Sequence, residues 1–209
     1  MVQCQLRERG IADERVLDAM GRVPREEFVP HELAESAYAD RALPIGGGQT
    51  ISQPYVVAYT LEAAAIREGD RVLDIGTGSG YAAAVASLLA KSVFTIERDP
   101  SLAAAASERL RRLGFLNVRC AAGDGTGGWP AHLPYQAVVA AAAGIDVPSA
   151  WMRQVADGGR IVAPLGPPDA QNLVRLVRHG RMMERRKLLP VRYVPLVSEG
   201  GASGVVELP

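Results

Sequence analysis

Apolar residues recur at helical spacing at Ile11, Val16, Leu17 and Met20, behind Asp13 as a candidate cap, and the pattern stops at Gly21 and Pro24. One short amphipathic helix is predicted over 12–23. Pro30 and the stretch Asp40-Arg41-Ala42-Leu43-Pro44-Ile45-Gly46-Gly47-Gly48 then break the periodicity, because proline fixes φ and glycine admits positive φ. This stretch is expected as a loop whose glycines are either flexible or in close approach to another chain or a ligand. Gln49-Thr50-Ile51-Ser52-Gln53 follows with polar side chains, and Pro54 suits the first turn of a helix over 55–65.

After Gly69-Asp70 the pattern alternates. Short β-branched runs predict strands at 71–75, 92–96, 117–122, 135–141 and 160–165, and alanine-rich or amphipathic stretches predict helices at 81–89, 100–113 and 149–155. Such alternation implies an α/β fold, doubly wound and Rossmann-like, with a mostly parallel sheet covered on both faces. Two further β-like stretches, 172–177 and 187–194, have no convincing helix between them and suit an antiparallel hairpin at the sheet edge, where Pro190 and Pro195 are tolerated.

The chain of 209 residues is expected to form a single domain, with 1–68 as N-terminal helices and a substrate and cofactor loop, 69–165 as cofactor-binding core, and 166–209 as edge strands and tail. Lys+Arg and Asp+Glu number 23 each, so no net positive field draws in nucleic acid or an anionic membrane, and neither partner is expected. Cys4 and Cys120 form no CxxC, and His31, His132 and His179 are far apart, which argues against a disulfide framework or a metal site. The longest apolar run, 137–145, reads as a core strand, and Arg7-Glu8-Arg9 falls where a signal peptide is apolar. A cytoplasmic monomer is expected.

The candidate chemistry lies at strand ends. Val72-Leu73-Asp74-Ile75-Gly76-Thr77-Gly78-Ser79-Gly80-Tyr81 runs from a buried strand through glycines into a helix, the placement of a nucleotide cofactor. Tyr81 stands where the dinucleotide pattern GxGxxG has its third glycine, so that pattern is not met. Asp74 would repel a pyrophosphate and favour an ammonium or sulfonium group, which points to S-adenosyl-L-methionine. Glu97, about 20 residues beyond the glycines, stands where an acid accepts from both hydroxyls of an unphosphorylated ribose, and Arg98 beside it is expected in the same cofactor site, the structural alternative being a solvated Glu97 paired with Arg98. Asp124, in Gly123-Asp124-Gly125, is a third strand-end acid, suited to an adenine amino group. Each acid alone has a structural alternative as a solvated strand end or turn; together they line one edge of one sheet. Trp129 either covers the adenine or packs on the core.

Tyr38-Ala39-Asp40 through Gly48-Gln49-Thr50-Ile51-Ser52-Gln53-Pro54, the 72–81 motif, Thr95-Ile96-Glu97-Arg98, Gly123-Asp124-Gly125 to Trp129-Pro130, and Leu189-Pro190-Val191-Arg192-Tyr193-Val194-Pro195-Leu196 together resemble the protein-L-isoaspartate O-methyltransferases, from about Ala12 to Leu196. The glycine motif identifies only a methyltransferase superfamily; the 48–54 and 189–196 motifs are more specific. The resemblance implies methylation of the free α-carboxylate of isoaspartyl residues in damaged proteins, with collapse to a succinimide and partial return to aspartate. It departs from the family at Gln136, where an Asp is usual, and at Ala140-Ala141-Ala142, where Thr-Ala-Ala is usual. Both are expected beside the cofactor and peptide clefts.

The resemblance makes Ser52 the active residue, a hydrogen-bond donor to the acceptor carboxylate, while Thr50 and the backbone at Ile51 position the methionine end of the cofactor. A model carboxyl has a pKa of ~3.9 and is ionised at neutral pH, so methyl transfer needs no general base. The alternative for Ser52 is a helix N-cap before Pro54. Tyr193 and Val194 either lid the cleft or belong to an edge strand. Alternatives for the whole chain are methylation of an aspartate in one dedicated peptide, a nicotinamide oxidoreductase, and a non-catalytic adenosyl-binding module.

Overall fold

The computed structural model describes residues 1–198 and 205–208. After a short irregular helical start come α1 (Glu14–Arg22), β1 (Leu43–Gly46), β2 (Gln49–Ile51), α2 (Pro54–Ala64), β3 (Arg71–Ile75) and α3 (Tyr81–Ser87). Then follow β4 (Ser92–Glu97), α4 (Pro100–Arg112), β5 (Val118–Ala122), β6 (Tyr135–Ala140), α5 (Ser149–Gln154), β7 (Val155–Leu165), β8 (Asn172–His179), β9 (Met182–Pro190) and β10 (Val206–Glu207). Asp13 caps α1 by accepting from the Arg15 amide at 2.9 Å, as its position predicts. Asp99 caps α4 in the same way.

Eight strands form one sheet in the order β10-β5-β4-β3-β6-β7-β8-β9. The five strands β5, β4, β3, β6 and β7 are mutually parallel, and β8, β9 and β10 run antiparallel to their neighbours. This is the doubly wound, Rossmann-like α/β architecture with an antiparallel edge hairpin. Alternate strand residues serve opposite layers. Val72, Val93, Ala137 and Val162 join the core under α1, α2 and α3, while Leu73, Phe94, Val138 and Ile161 pack with Trp151 and Trp129 on the other face. Each of the Val, Leu, Ile and Phe side chains contributes about 1.5–3 kcal/mol by burial. Trp129 is therefore a core residue, edge-on to Phe94 at 5.8 Å between centroids, and not an adenine cover.

Three expectations need correction. The stretch 40–48 is not wholly a loop: Leu43 pairs with Ile51 and Pro44 with Thr50, and the glycine run, all at positive φ, is the turn that closes this hairpin. The edge hairpin turns earlier than expected, at Gly180, so β9 ends at Pro190 and residues 191–194 leave the sheet instead of extending it. The tail after Leu196 carries no pattern, yet Val206 and Glu207 pair with Ala122 and Ala121 and cover the outer edge of β5. Residues 199–204 of that tail lie outside the described residues.

Candidate active site

The chain steps outward from β3 to β4 to β5 and then returns to the other side of β3 with β6, so the sheet has its topological switch between β3 and β6. Crossovers diverge there and leave a crevice at the carboxyl ends of the strands. The Ala141 amide donates to the Ile75 carbonyl at 2.8 Å and the Gly76 amide to the Ile96 carbonyl at 2.8 Å, which holds the strand exits together. Above them opens a cavity of about 970 Å³. Its walls come from the β1–β2 hairpin and start of α2, from the ends of β3, β4 and β6, and from residues 189–197.

On the sheet side, Gly76, Gly78, Glu97, Arg98 and Gly125 line this cavity. Glu97 is 8% exposed; one carboxylate oxygen accepts from the Gly78 amide at 2.9 Å and the other from the Asp99 amide at 3.1 Å. Gly78 has φ +53°, a left-handed conformation that favours glycine, and it lies against the β1 side of the cleft, where a Cβ would meet Ile45 Cδ1 at an ordinary contact distance of 3.4 Å. The other acids sit behind the wall. Asp74 is buried beneath the loop, accepting from Thr95 Oγ1 at 2.8 Å, and Thr95 in turn meets Thr77 Oγ1 at 2.6 Å. Burial pushes the Asp74 carboxyl up to about 7; the Thr95 hydrogen bond opposes the rise and the Glu97 charge adds to it. Asp124 caps a 3₁₀ turn through the Thr126 amide at 2.8 Å and also accepts from Ser198 Oγ at 2.9 Å. Ser79 and Gly80 face the start of α3, with the Ser79 carbonyl bonded by Arg109 at 2.9 Å, and neither lines the cavity.

On the opposite side, Thr50 and Ser52 line the cavity, whereas Ile51 is a core residue, 3% exposed. Gln53 is the N-cap of α2 and makes no side-chain cap bond, so the capping alternative for Ser52 fails. Residues 191–196 cross the cleft as an irregular arm. Gln171 grips it by accepting from the Tyr193 amide at 2.7 Å and donating to the Tyr193 carbonyl at 3.2 Å, and Ala143 exchanges bonds with Val194 and Leu196, both at 2.8 Å. Tyr193 and Val194 thus lid the cleft and form no edge strand.

Other cavity residues carry little signal in the sequence. Arg9 reaches the rim, paired with Asp40 at 2.6 Å and lying 3.7 Å over the Tyr55 ring, from an N-terminal stretch with no periodicity. Gln136 is not beside either cleft: it accepts from the Arg71 amide at 2.8 Å at the amino end of β3, the opposite end of the sheet. As the second residue of β6, parallel to β3, it lies at the amino end, whereas the positions that reach the cavity follow Ala140. Ala141 and Ala142 do line the cavity.

A family model for Protein-L-isoaspartate(D-aspartate) O-methyltransferase matches residues 1–201. A protein-L-isoaspartate O-methyltransferase of Methylorubrum populi is 54% identical over 98% of this chain and 96% of its own length. One of Methanoculleus marisnigri is 50% identical over 99% and 94%. Among solved structures, a protein-L-isoaspartate O-methyltransferase superposes with TM-score 0.85 at 28% identity, covering 97% of this chain and 68% of that one. A beta-aspartate methyltransferase of Plasmodium falciparum, in complex with S-adenosyl-L-homocysteine, superposes with TM-score 0.81 at 22% identity, over 94% and 96%. The chain belongs to the protein-L-isoaspartate (D-aspartate) O-methyltransferase family.

Proposed function

We infer that the chain transfers a methyl group from S-adenosyl-L-methionine to the free α-carboxylate of L-isoaspartyl residues in damaged proteins or peptides, initiating their repair. The observation that carries this reading is the single cavity that joins Glu97 and the glycine loop on one wall to Ser52 and the 191–196 arm on the other. The residues present suit the cofactor. Glu97 uses one lone pair of each oxygen on backbone amides and retains acceptor capacity toward two ribose hydroxyls. Asp74 and Asp124 add negative charge behind the loop for a ligand with a sulfonium and an amino group, and Thr77, Ser79, Gly80 and Ile51 shape that loop and its neighbour without lining the cavity. Arg98 and Gly125 border the nucleoside end and Thr50 the methionine end.

The cofactor, when bound, supplies an electrophilic methyl group on sulfur. The chain's part is to hold an ionised carboxylate in line with it and to exclude water. Ser52 Oγ donates to the acceptor carboxylate and orients it after its hydration is stripped, and the arm at Tyr193 and Val194 closes the cleft over it. Such positioning is worth up to about 7–11 kcal/mol of barrier. With the acceptor already ionised at neutral pH, no side chain is needed as a base.

The cavity walls draw on segments 1–68, 69–165 and 166–209 of one proposed domain, and the chain is proposed to act as a monomer. Both cysteines are free, which supports a cytoplasmic location. Among the described residues no helix is long and apolar enough to cross a membrane. Gln136, at the far end of the sheet, lends no support to a redirected peptide substrate. Labelled methyl donor offered with an isoaspartyl peptide and, separately, its aspartyl counterpart tests the reading. Label in the first alone is the expected result; label in neither removes the function, and label in both removes the selectivity.

A further inference from the structure

Arg25 is fully buried, yet no carboxylate among the described residues forms an ion pair with it. Its Nε donates to the Ala37 carbonyl at 2.7 Å, its Nη2 donates to the Ser52 carbonyl at 2.7 Å, and its guanidinium lies 4.6 Å over the ring of Tyr81, the first residue of α3 after the glycine loop. Desolvation works against the charge there and pushes its pKa down. A charged group without a counter-ion costs stability when buried, and apolar side chains of similar volume fill such sites more favourably. What the guanidinium achieves and an apolar side chain does not is a fixed main chain at Ser52, tied to the helix that opens the cofactor loop.

A second side chain faces Ser52. Tyr193, on the arm, lines the same cavity as Ser52, its phenol turned toward the serine side, and burial pushes that phenol's pKa up. The Gln171 grip on both the amide and the carbonyl of Tyr193 prevents the ring from sliding along the cleft.

We propose that Arg25 and Tyr193 are positioning residues for methyl transfer, the first fixing Ser52 through its carbonyl and the second fixing the direction of its hydroxyl by donating the phenol proton to Ser52 Oγ, which leaves the serine proton for the acceptor. The proposal rests on the carboxyl-methyltransferase reading and on Ser52 meeting the acceptor. A hydroxyl rotor left free samples orientations that do not meet the acceptor, so the loss falls on turnover and not on cofactor binding.

The test measures kcat and KM on an isoaspartyl peptide, S-adenosyl-L-homocysteine affinity by calorimetry, and the melting temperature. The variants are Tyr193→Phe, Arg25→Gln and Ser52→Ala, with each of the first two also combined with the third. Tyr193→Phe should lower kcat about 3- to 10-fold and Arg25→Gln about 10- to 100-fold, with the ligand's Kd within about 2-fold of wild type. In the Ser52→Ala background neither should lower kcat further, because both act through the group already removed. A purely structural role gives losses that multiply instead. Tyr193→Phe is nearly isosteric and carries the test if Arg25→Gln does not fold. Wild-type kcat in folded Tyr193→Phe, or undiminished losses on top of Ser52→Ala, overturns the proposal. A wild-type protein inactive on the peptide removes the function itself and the proposal with it.

Discussion

Glu97 accepts from the amides of Gly78 and Asp99, so its carboxylate is already oriented before any ligand arrives, with the remaining lone pairs turned to the cavity. Charge-assisted hydrogen bonds are worth about 1.5–3 kcal/mol each, and two to a ribose make Glu97→Ala an expected loss of at least about 100-fold in S-adenosyl-L-homocysteine affinity by calorimetry. Wild-type affinity would take Glu97 off the ribose. Asp74 behaves differently, because burial pushes it up to about 7 in the folded chain, against an ordinary carboxyl value near ~3.9 in the unfolded one. The folded state then holds more protons between about pH 4 and 7, so stability falls as pH rises through that window and the whole penalty is present above it. Asp74→Asn removes the penalty and retains an acceptor for Thr95. Its melting temperature should match wild type near pH 4 and exceed it at pH 8; equal values at both would mean that the carboxyl is not strained by burial. Both acids were readable from their spacing after strand patterns. Arg25 was not, because Arg25-Glu26-Glu27 has the look of a solvated charge run, and only tertiary contact with the Ser52 carbonyl reveals a buried cation.

Local patterning served well where packing on both faces of the sheet demands it. The strand at 71–75 is observed at Arg71–Ile75, and the strands at 92–96 and 135–141 each differ by one residue. Elements at the rim obey other constraints. The β1–β2 hairpin pairs only with itself and reads from sequence as glycine-rich loop, and β9 takes its register from the turn at Gly180 and not from its own apolar pattern. A comparable tertiary constraint holds α2. Arg160 on β7 donates to the Ala64 carbonyl at 2.7 Å and to Asp70 at 2.8 Å, with a further bond to the Ala65 carbonyl, where the helix ends in a left-handed residue. Arg160→Met leaves Asp70 buried without its cation and frees two helix-end carbonyls, so urea denaturation should register a loss of about 3–5 kcal/mol. Ligand affinity under native conditions should be unchanged, since Arg160 lies outside the cavity wall. A loss below about 1 kcal/mol would show that water replaces the guanidinium at little cost.

The cavity gathers residues as distant as Arg9, Glu97 and Tyr193, brought together because the sheet's reversal between β3 and β6 leaves its carboxyl edge open, residues 189–197 cross it and Arg9 reaches its rim. Sequence spacing identified the strand-end acids, and the family resemblance singled out Ser52 in its glycine-led loop. It did not disclose that only some of them reach the cavity, because the side to which a loop residue turns depends on the opposite wall. A ligand that touches segments from all three parts of the chain stabilises the folded state as a unit. At 100 times Kd the gain is about 2.7 kcal/mol, and at about 2–4 °C per kcal/mol for a chain of this size S-adenosyl-L-homocysteine should raise the melting temperature by roughly 5–11 °C. At that same ligand concentration Glu97→Ala should lose most of the rise. Ser52→Ala should keep it, because Ser52 is assigned to the acceptor and the rise reports the cofactor half of the cleft. If Ser52→Ala also abolishes the rise while melting normally without ligand, the two halves of the cavity are not separable, and Ser52 belongs to the cofactor site as much as to the acceptor.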